Sequence, residues 1–479
     1  MKSNYDLIVI GAGSGGLGVG IGMATFGFDV LMIEKNKANI GGECLNSGCV
    51  PSKALIHVAE KVHQARQAQA YGITSGGSVD MQKVMQYVHD KQDDIRAHEN
   101  AEYLRKNEGV EIEIGEARFK GKREVEVNGK RIKAKKILVA TGSHPRMIDV
   151  PGMEHVQLFT NENLFEVKTL PQHLLVIGGG PIGMEMGQSF ARLGSNVTVT
   201  DRGPRIMNKE RKEVSVLVKE RLEKEGLQFH LNSKLIAFTA DKKAVLETSA
   251  GERIEIPCDA ALVGIGREIS YQGLNLENAG IALKDGKPKI DSFLRAKDNK
   301  HVVFAGDAAG NVLFSHGAEL HTTMLLTNFF APWPFKIKLN LDHFSWVTFT
   351  NPEVATFGFN EAQLKEKGVS YECVDFKFEK DDRATVSDYQ YGRMFLYLKK
   401  NMLNPRNGKI LGGTIVAPAA GEMVQELIMA QQQGLGASAI FNKTYPYPTQ
   451  TRVHKIALVE KFSGGITPLI KKMFKVLFH

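Results

Sequence analysis

Two cysteines, Cys44 and Cys49, stand close together in the segment Gly41-Gly42-Glu43-Cys44-Leu45-Asn46-Ser47-Gly48-Cys49-Val50-Pro51-Ser52-Lys53. Thiols at such a spacing can hold half of a metal site, pack as small apolar side chains, or make and break a disulfide. Zinc would need two more ligands, and the remaining cysteines, Cys258 and Cys373, are isolated in the sequence. No metal site is therefore expected. A glycine-rich loop is a poor place to bury two thiols. The favoured reading is a redox disulfide, and a redox disulfide needs a source of electrons.

That source is written in two glycine motifs. Gly11-Ala12-Gly13-Ser14-Gly15-Gly16 and Gly178-Gly179-Gly180-Pro181-Ile182-Gly183 each follow an apolar run. A Gly-x-Gly-x-x-Gly turn lets the backbone approach a pyrophosphate and sets the phosphates on a helix N-terminus. An acid about 20 residues later accepts hydrogen bonds from a ribose diol. Glu34 and Asp201 stand at the same offset from the first glycine of their motifs (34 − 11 = 23 and 201 − 178 = 23). Gly11, Gly13, Gly16 and Glu34 thus make one dinucleotide site. Gly178, Gly180, Gly183 and Asp201 make a second.

The elements that must carry these residues follow from the apolar runs. Leu7–Ile10 ends at Gly11, Ile137–Ala140 at Thr141-Gly142, Leu174–Ile177 at Gly178 and Ala260–Val263 at Gly264-Ile265-Gly266. Such runs fit parallel strands covered on both faces. Helical patterns follow several of them, which predicts an α/β architecture with two Rossmann-like halves. From about residue 338 the pattern changes. Alternation over Arg393–Leu398 and a helical stretch over Glu422–Gln433 predict a third, α+β domain.

Taken together, these motifs resemble the flavoprotein disulfide reductases, the group of dihydrolipoamide dehydrogenase, glutathione reductase and mercuric reductase. The resemblance runs from residue 4 to about residue 462. His301-Val302-Val303-Phe304-Ala305-Gly306-Asp307 resembles the second FAD motif of that group, whose aspartate meets the ribityl chain. Ala140-Thr141-Gly142-Ser143 resembles the turn between the FAD and nucleotide domains, and Phe349-Thr350-Asn351-Pro352-Glu353 the start of the dimer-interface domain. The resemblance implies FAD on the first glycine motif, with Thr141, Gly142 and Asp307. It implies NADH or NADPH on the second, with Gly266. Cys49 resembles the thiol beside the flavin and Cys44 the interchange thiol. Lys53 resembles the lysine near flavin N5, and Glu185 its carboxylate partner.

The implied domains are 1–150 and 271–337 for FAD, 151–270 for NAD(P)H, 338–462 for a homodimer interface and 463–479 for an amphipathic tail. Asp201 at the end of a strand implies NADH, because a carboxylate there repels a 2′-phosphate; Arg202 and Arg205 could still admit NADPH.

The chain departs from the resemblance near its end. Dihydrolipoamide dehydrogenase carries a histidine and, five positions on, a glutamate; here those positions hold Tyr447 and Arg452, in Tyr445-Pro446-Tyr447-Pro448-Thr449-Gln450-Thr451-Arg452. Tyr447 is the candidate acid/base group, and the missing dyad argues against lipoamide as the natural substrate. Mercuric reductase also has a tyrosine there, but it delivers mercury through a C-terminal cysteine pair, and no cysteine follows Cys373. The acceptor is thus expected to be a small molecule, disulfide or dithiol. The alternatives are a metal ion or a quinone, or a role as a flavin redox sensor.

Composition sets the remaining limits. Over 479 residues, a hydrophobic share of 43% and a net charge of +8 fit a soluble globular protein of about three domains with a mildly basic surface. No zinc-finger spacing or aromatic RNA motif accompanies the charge, so no nucleic-acid partner is expected. The first strand is expected at Tyr5 with no secretory pattern before it, and few cysteines fit a reducing cytoplasm. In the tail, Thr467-Pro468 reads as a helix start, with Leu469, Ile470, Met473, Phe474, Leu477 and Phe478 on one face and Lys471, Lys472 and Lys475 off it. Docking on the enzyme's own surface is the plain expectation; peripheral contact with an anionic membrane is the other. Phe329, Phe330, Trp333 and Phe335 are expected in a core, with a share in that membrane contact as the alternative.

Overall fold

The structure, a computed structural model, describes residues 2–401, 407–464 and 468–478. The chain separates into two compact units. One comprises residues 1–206 and 225–339, the other 207–224 and 340–479.

The first unit is built on two parallel sheets. In one, the order is Glu111–Ile114, Val30–Glu34, Asn4–Ile10, Lys130–Val139 and Val302–Phe304, all parallel. Two short strands, Glu124–Val127 and Arg118–Gly121, continue it antiparallel from the start of Lys130–Val139. In the other, the order is Gln228–Leu231, Asn196–Asp201, His173–Ile177, Ala260–Val263 and Gln157–Phe159, again all parallel. Leu7, Ile8, Val9, Leu31, Ile137 and Leu138 are fully buried or nearly so, as strands covered on both faces require.

Chain order reverses in each sheet beside the strand that precedes the glycine motif. Ligands bind at such switch points, outside the carboxyl ends of the strands. The backbone there is close-packed. A Cβ on Gly11 would stand 2.3 Å from Ala140 O, and one on Gly178 would stand 2.5 Å from Gly264 O; both residues have φ above +100°. Only glycine fits. The two sheets therefore solve the same problem with the same residue at the same place. The second sheet carries an antiparallel meander, Ser233–Phe238, Lys243–Thr248 and Arg253–Pro257, between its strands.

The second unit is an antiparallel sheet in the order Ser345–Thr348, Glu353–Gly358, Ile410–Ala417, Arg393–Lys399, Tyr371–Lys377. Phe357, Met394, Leu396 and Ile415 pack with Leu427, Val453 and Leu458 of its helices. The helix expected over Glu422–Gln433 is instead two, Ala420–Met423 and Gln425–Gln432, with the break at Val424.

One expectation for the apolar segments changes. Phe330, Trp333 and Phe335 are not core residues: they are 50%, 73% and 72% exposed, and only Phe329 packs partly against the core. A helix runs over Pro468–Leu477, and the side chains described on it, Pro468 and residues 471–477, are all exposed. The expected cap at Thr467 lies outside the described residues, as do the side chains of Leu469 and Ile470.

Candidate active site

Cys49 opens the 19-residue helix Cys49–Gln67, whose N-cap, Gly48, supplies no side-chain hydrogen bond. The free N–H groups of that first turn favour negative charge beside them. Pro51 sits in the same turn, where its missing N–H costs nothing. Cys44 lies on the short helix Gly42–Asn46 just before. What brings this segment to the first nucleotide loop is a glycine contact: Gly41 N–H donates to Ala12 O at 2.9 Å, and a Cβ on Gly42 would stand 2.5 Å from Gly13 Cα.

The two cysteines are free thiols and hydrogen-bond to each other. Cys44 holds the proton. Its thiol is pushed well above the ordinary range by that bond and by burial. Cys49 is pulled down to about 6, first by the bond from Cys44, then by Ser315 and the charge of Lys53, with burial working against them. Ser315 Oγ lies 3.2 Å from Cys49 Sγ. Ser315 is itself the first residue of the 16-residue helix Ser315–Phe330.

Lys53 lies one helical turn beyond Cys49, and its Nζ meets Glu185 Oε2 at 2.8 Å. Glu185 comes from Pro181–Leu193, the helix that the second glycine motif opens, and is buried there. This ion pair ties the cysteine helix to the second dinucleotide half. The structure thus brings Cys44, Cys49, Lys53 and Glu185 together from two parts of the sequence.

The residues of the first glycine motif fit a dinucleotide such as FAD. The helix Ser14–Thr25 begins at Gly13 with no side-chain cap, so its N–H groups remain available for phosphate. A Cβ on Gly16 would stand 1.9 Å from Gly11 O, which keeps helix and strand in contact. Glu34 is buried; one oxygen accepts from Ala12 N at 2.8 Å, the other from Asn36 N at 3.3 Å. The second site repeats the plan. The helix at Pro181 starts from Gly180 without a side-chain cap, and no atom would crowd a Cβ on Gly180 within 4 Å. Asp201 accepts from Gly179 N at 2.7 Å and from Gly203 N at 2.6 Å. Arg202 is exposed and Arg205 half-buried. Gly266, at φ +112°, also has open space where a Cβ would go.

Asp307 sits in a network that the sequence motifs do not announce. It accepts from Ser143 Oγ, and Arg267 Nε lies 3.6 Å away. Arg267 also donates to Ser143 Oγ at 2.7 Å and pairs with Glu43. Asn161 Nδ2 donates to Glu43 at 2.5 Å. Burial pushes the Glu43 carboxyl up to about 7 against the pull of Arg267. The only sequence signal was adjacency: Glu43 precedes Cys44, and Arg267 follows Gly266. Thr141 Oγ1 donates to Ser270 O at 2.6 Å, and Gly142 takes φ +70° in the turn beside it. His321, fully buried, was also missed. Its Nδ1 accepts from Gly306 N at 3.1 Å, and burial holds the ring neutral with a value of about 4.

In the second unit Tyr447 is 66% exposed. Its hydroxyl donates to Asp382 Oδ2 at 3.2 Å, and the Arg452 guanidinium stands 5.1 Å above its ring. Arg452 therefore faces the ring rather than bonding the phenol oxygen. A histidine–glutamate pair does exist nearby: His454 Nδ1 meets Glu426 Oε1 at 2.5 Å. His454 is wholly buried within its unit, which makes the pair part of the packing. Among the described residues no cluster of three or more His, Cys, Asp or Glu side chains could hold a metal ion.

Comparison with known proteins agrees with this geometry. Residues 5–325 match the family model described as pyridine nucleotide-disulphide oxidoreductase, and residues 344–457 match the dimerisation domain of the same family. A dihydrolipoyl dehydrogenase of Thermus scotoductus is 34% identical over 456 residues, 93% of this chain and 95% of that one. A mercuric reductase of Bacillus cereus is 32% identical over 461 residues, 95% of this chain and 71% of that one. In fold, the chain superposes on the HOCl-induced flavoprotein disulfide reductase RclA of Escherichia coli, in its Cu(II) complex. The TM-score is 0.82 at 22% identity, with 96% of this chain and 100% of that one covered.

Proposed function

The chain belongs to the pyridine nucleotide-disulphide oxidoreductase family, and from that premise we propose that Cys44 and Cys49 are its redox pair, with Cys44 facing the acceptor. The enzyme is an FAD-dependent, NAD(P)H-linked disulfide oxidoreductase. FAD, when bound, relays the two electrons of a hydride from NAD(P)H to the cysteine pair.

The chain's own residues do the rest. Two electrons and one proton turn the Cys44–Cys49 disulfide into a Cys44 thiol and a Cys49 thiolate. The observation that carries this reading is the environment of Cys49 Sγ, at a bare helix N-terminus, 3.2 Å from Ser315 Oγ, with Lys53 one turn away. All three favour the thiolate. The Lys53–Glu185 pair keeps a positive charge fixed where negative charge develops on reduction. Gly11, Gly13, Gly16, Glu34, Thr141, Gly142 and Asp307 are assigned to FAD, and Gly178, Gly180, Gly183, Asp201 and Gly266 to the nicotinamide nucleotide. NADH is the preferred donor in this reading, because two backbone N–H groups hold the Asp201 side chain at the strand end, where a carboxylate repels a 2′-phosphate. Within the domains assigned above, residues 338–462 hold a homodimer together, working in the cytoplasm.

For the acceptor, Tyr447 is the deciding residue. Its proton is directed to Asp382, which suits a hydrogen-bond donor better than a base. We therefore place lipoamide behind other disulfides, quinones and soft metal ions such as Hg(II). The test is anaerobic reduction by NADH with thiol counting. Two new thiols per chain in the wild type, and none in Cys44→Ser, support the redox pair; no change in thiol count would refute it. Reduction of a quinone that survives in Cys44→Ser would identify direct transfer without the interchange thiol, the second reading.

A further inference from the structure

Residues 330–338 put large apolar side chains into solvent. Trp333 and Phe335 are more than 70% exposed, and Ile337 and Phe330 about half. Phe330 is not alone: Phe26, 60% exposed, meets its ring edge-on at 5.4 Å. An apolar patch of this kind on a soluble surface marks something that covers it.

The surrounding charge says what. Lys336 and Lys338 alternate with the aromatic and aliphatic residues, and Lys338 is exposed. Lys136 is held below the ordinary lysine value, by burial first and then by the charges of Lys336, Arg295 and Arg123. Of these cations, Arg295 is paired with Asp291 at 2.8 Å, while Lys336, Lys136 and Arg123 donate to the backbone carbonyls of Asn328, Lys300 and Ala134. Lys338 is the exposed lysine of the segment. Rings at an apolar boundary with ammonium groups beside them match the headgroup layer of an anionic bilayer, where aromatic rings sit and lysines reach phosphate.

The tail helix Pro468–Leu477 shows the same chemistry independently. At the helical period, Lys471, Lys472 and Lys475 share one face, while Met473, Phe474 and Leu477 occupy the opposite one. The described side chains are exposed, and Phe478 follows at 88% exposure. A short, basic, strongly amphipathic helix lies in a bilayer interface rather than crossing it. No described helix is long and apolar enough to cross a membrane.

We infer that this protein binds reversibly to an anionic membrane surface, through the aromatic segment 330–338 and through the tail helix. The inference stands apart from the redox reading, since none of these residues belongs to the cysteine or nucleotide sites. The occupant proposed is lipid. A second copy of the chain would need no run of lysines without acids, such as Lys471, Lys472 and Lys475 within residues 468–478.

The test is flotation of the purified FAD-containing enzyme with phosphatidylcholine vesicles, with and without phosphatidylglycerol. The wild type should float with the mixed vesicles, weakly with phosphatidylcholine alone, and less as salt rises. Trp333→Ala with Phe335→Ala, and separately Phe474→Ser with Phe478→Ser, should each lower partitioning about tenfold or more, since each removes apolar area equivalent to at least one buried side chain. NADH turnover with a soluble acceptor, unchanged in both variants, shows that they fold. Equal flotation with neutral vesicles would overturn the anionic commitment. No flotation, or flotation indifferent to both pairs of substitutions, would overturn the inference. So would variants that change only the oligomeric state, because the surfaces would then be covered by protein.

Discussion

Ser315 and Cys49 are each the first residue of a long helix, and their side-chain atoms meet at 3.2 Å. Two helix N-termini, more than 260 residues apart in the chain, therefore converge on one sulfur. Each contributes partial positive charge, and the serine hydroxyl can donate directly to the thiolate.

Ser315→Ala should raise the pKa of Cys49. A hydrogen bond to a charged group is worth about 1.5–3 kcal/mol, and one pKa unit about 1.4 kcal/mol, so the rise is about one to two units. With Cys49 near 6, the thiolate is present at neutral pH and disappears as the pH falls through that value. In the variant it disappears at higher pH. The readout is the long-wavelength absorption of the two-electron-reduced enzyme, titrated with pH; Ser315→Thr should restore the wild-type midpoint. An unmoved midpoint in Ser315→Ala would show that the hydroxyl is only packed there.

Lys53→Met removes the fixed charge one turn from Cys49 and leaves Glu185 buried without its cation. Transfer of electrons to the disulfide should slow by on the order of a hundredfold, as for other preorganised charges. FAD content, measured by absorbance of the denatured protein, should stay near one per chain. Rapid-mixing kinetics with NADH check the rate, and a wild-type rate would remove Lys53 from the mechanism.

Asp201 should make kcat/KM for NADH exceed that for NADPH by at least about tenfold, the value of one charge-assisted bond to the ribose. Asp201→Asn should narrow the ratio chiefly by weakening NADH. Steady-state kinetics with both nucleotides decide the matter. Equal values in the wild type would mean that Arg202 or Arg205 overrides the aspartate.

Tyr447 should make a poor base. Tyrosine as a residue type lies about 3.5 pKa units above histidine, a handicap of roughly 5 kcal/mol relative to a histidine base, and the phenol here donates to Asp382. Dihydrolipoamide oxidation should therefore fall about 10²–10⁴-fold below that of a histidine-bearing relative, the usual worth of general base catalysis. Tyr447→Phe should leave reduction by NADH unchanged and slow the step between Cys44 and the best acceptor. Stopped-flow separates the two half-reactions, and an unaffected second half would reduce Tyr447 to packing.

Glu426 ties stability to pH. Burial alone would raise its carboxyl, but bonds from His454, Lys443 and Tyr445 bring it down to about 2 from an ordinary 4.5. A carboxylate lowered on folding stabilises above its unfolded value and loses that contribution as the pH falls toward the folded one. The difference is on the order of 3 kcal/mol at neutral pH. Urea unfolding of wild type and Glu426→Gln should therefore differ most above about pH 5 and converge toward pH 2. A gap that stays constant over that range would assign the effect to shape rather than charge.

How much of this was legible in the sequence depends on how local each device is. The glycine loops, Glu34, Asp201 and the cysteine pair are local: turn geometry fixes both residue type and spacing, so the motif carries the structure. The grip of Arg267 on Glu43, the bond from Asn161 and the approach of Ser315 to Cys49 join segments far apart, and no periodicity records such meetings. Burial was misread where hydrophobicity was the only guide. Trp333 and Phe335 have core residue types, yet Pro332 and Pro334 interrupt any strand or helix that could have carried them inward, and Phe330 ends the helix just before them. The break at Val424 had no breaker residue to announce it.

The strand Val302–Phe304 pairs with Ile137–Val139, although the whole second sheet lies between them in the chain. During synthesis the first sheet therefore leaves the ribosome with an open edge, while the second, ending at Val263, can close on itself first. Until residues 302–304 emerge, Ile137–Val139 offers unpaired backbone to any passing strand, and nascent chains halted before this point are the ones expected to call on chaperones or aggregate. Ribosome-stalled chains ending before and after residue 304, probed by limited proteolysis, would show protection of the first sheet appearing only in the longer ones. The order of assembly would then run against the order of the sequence, with the domain begun first completed last.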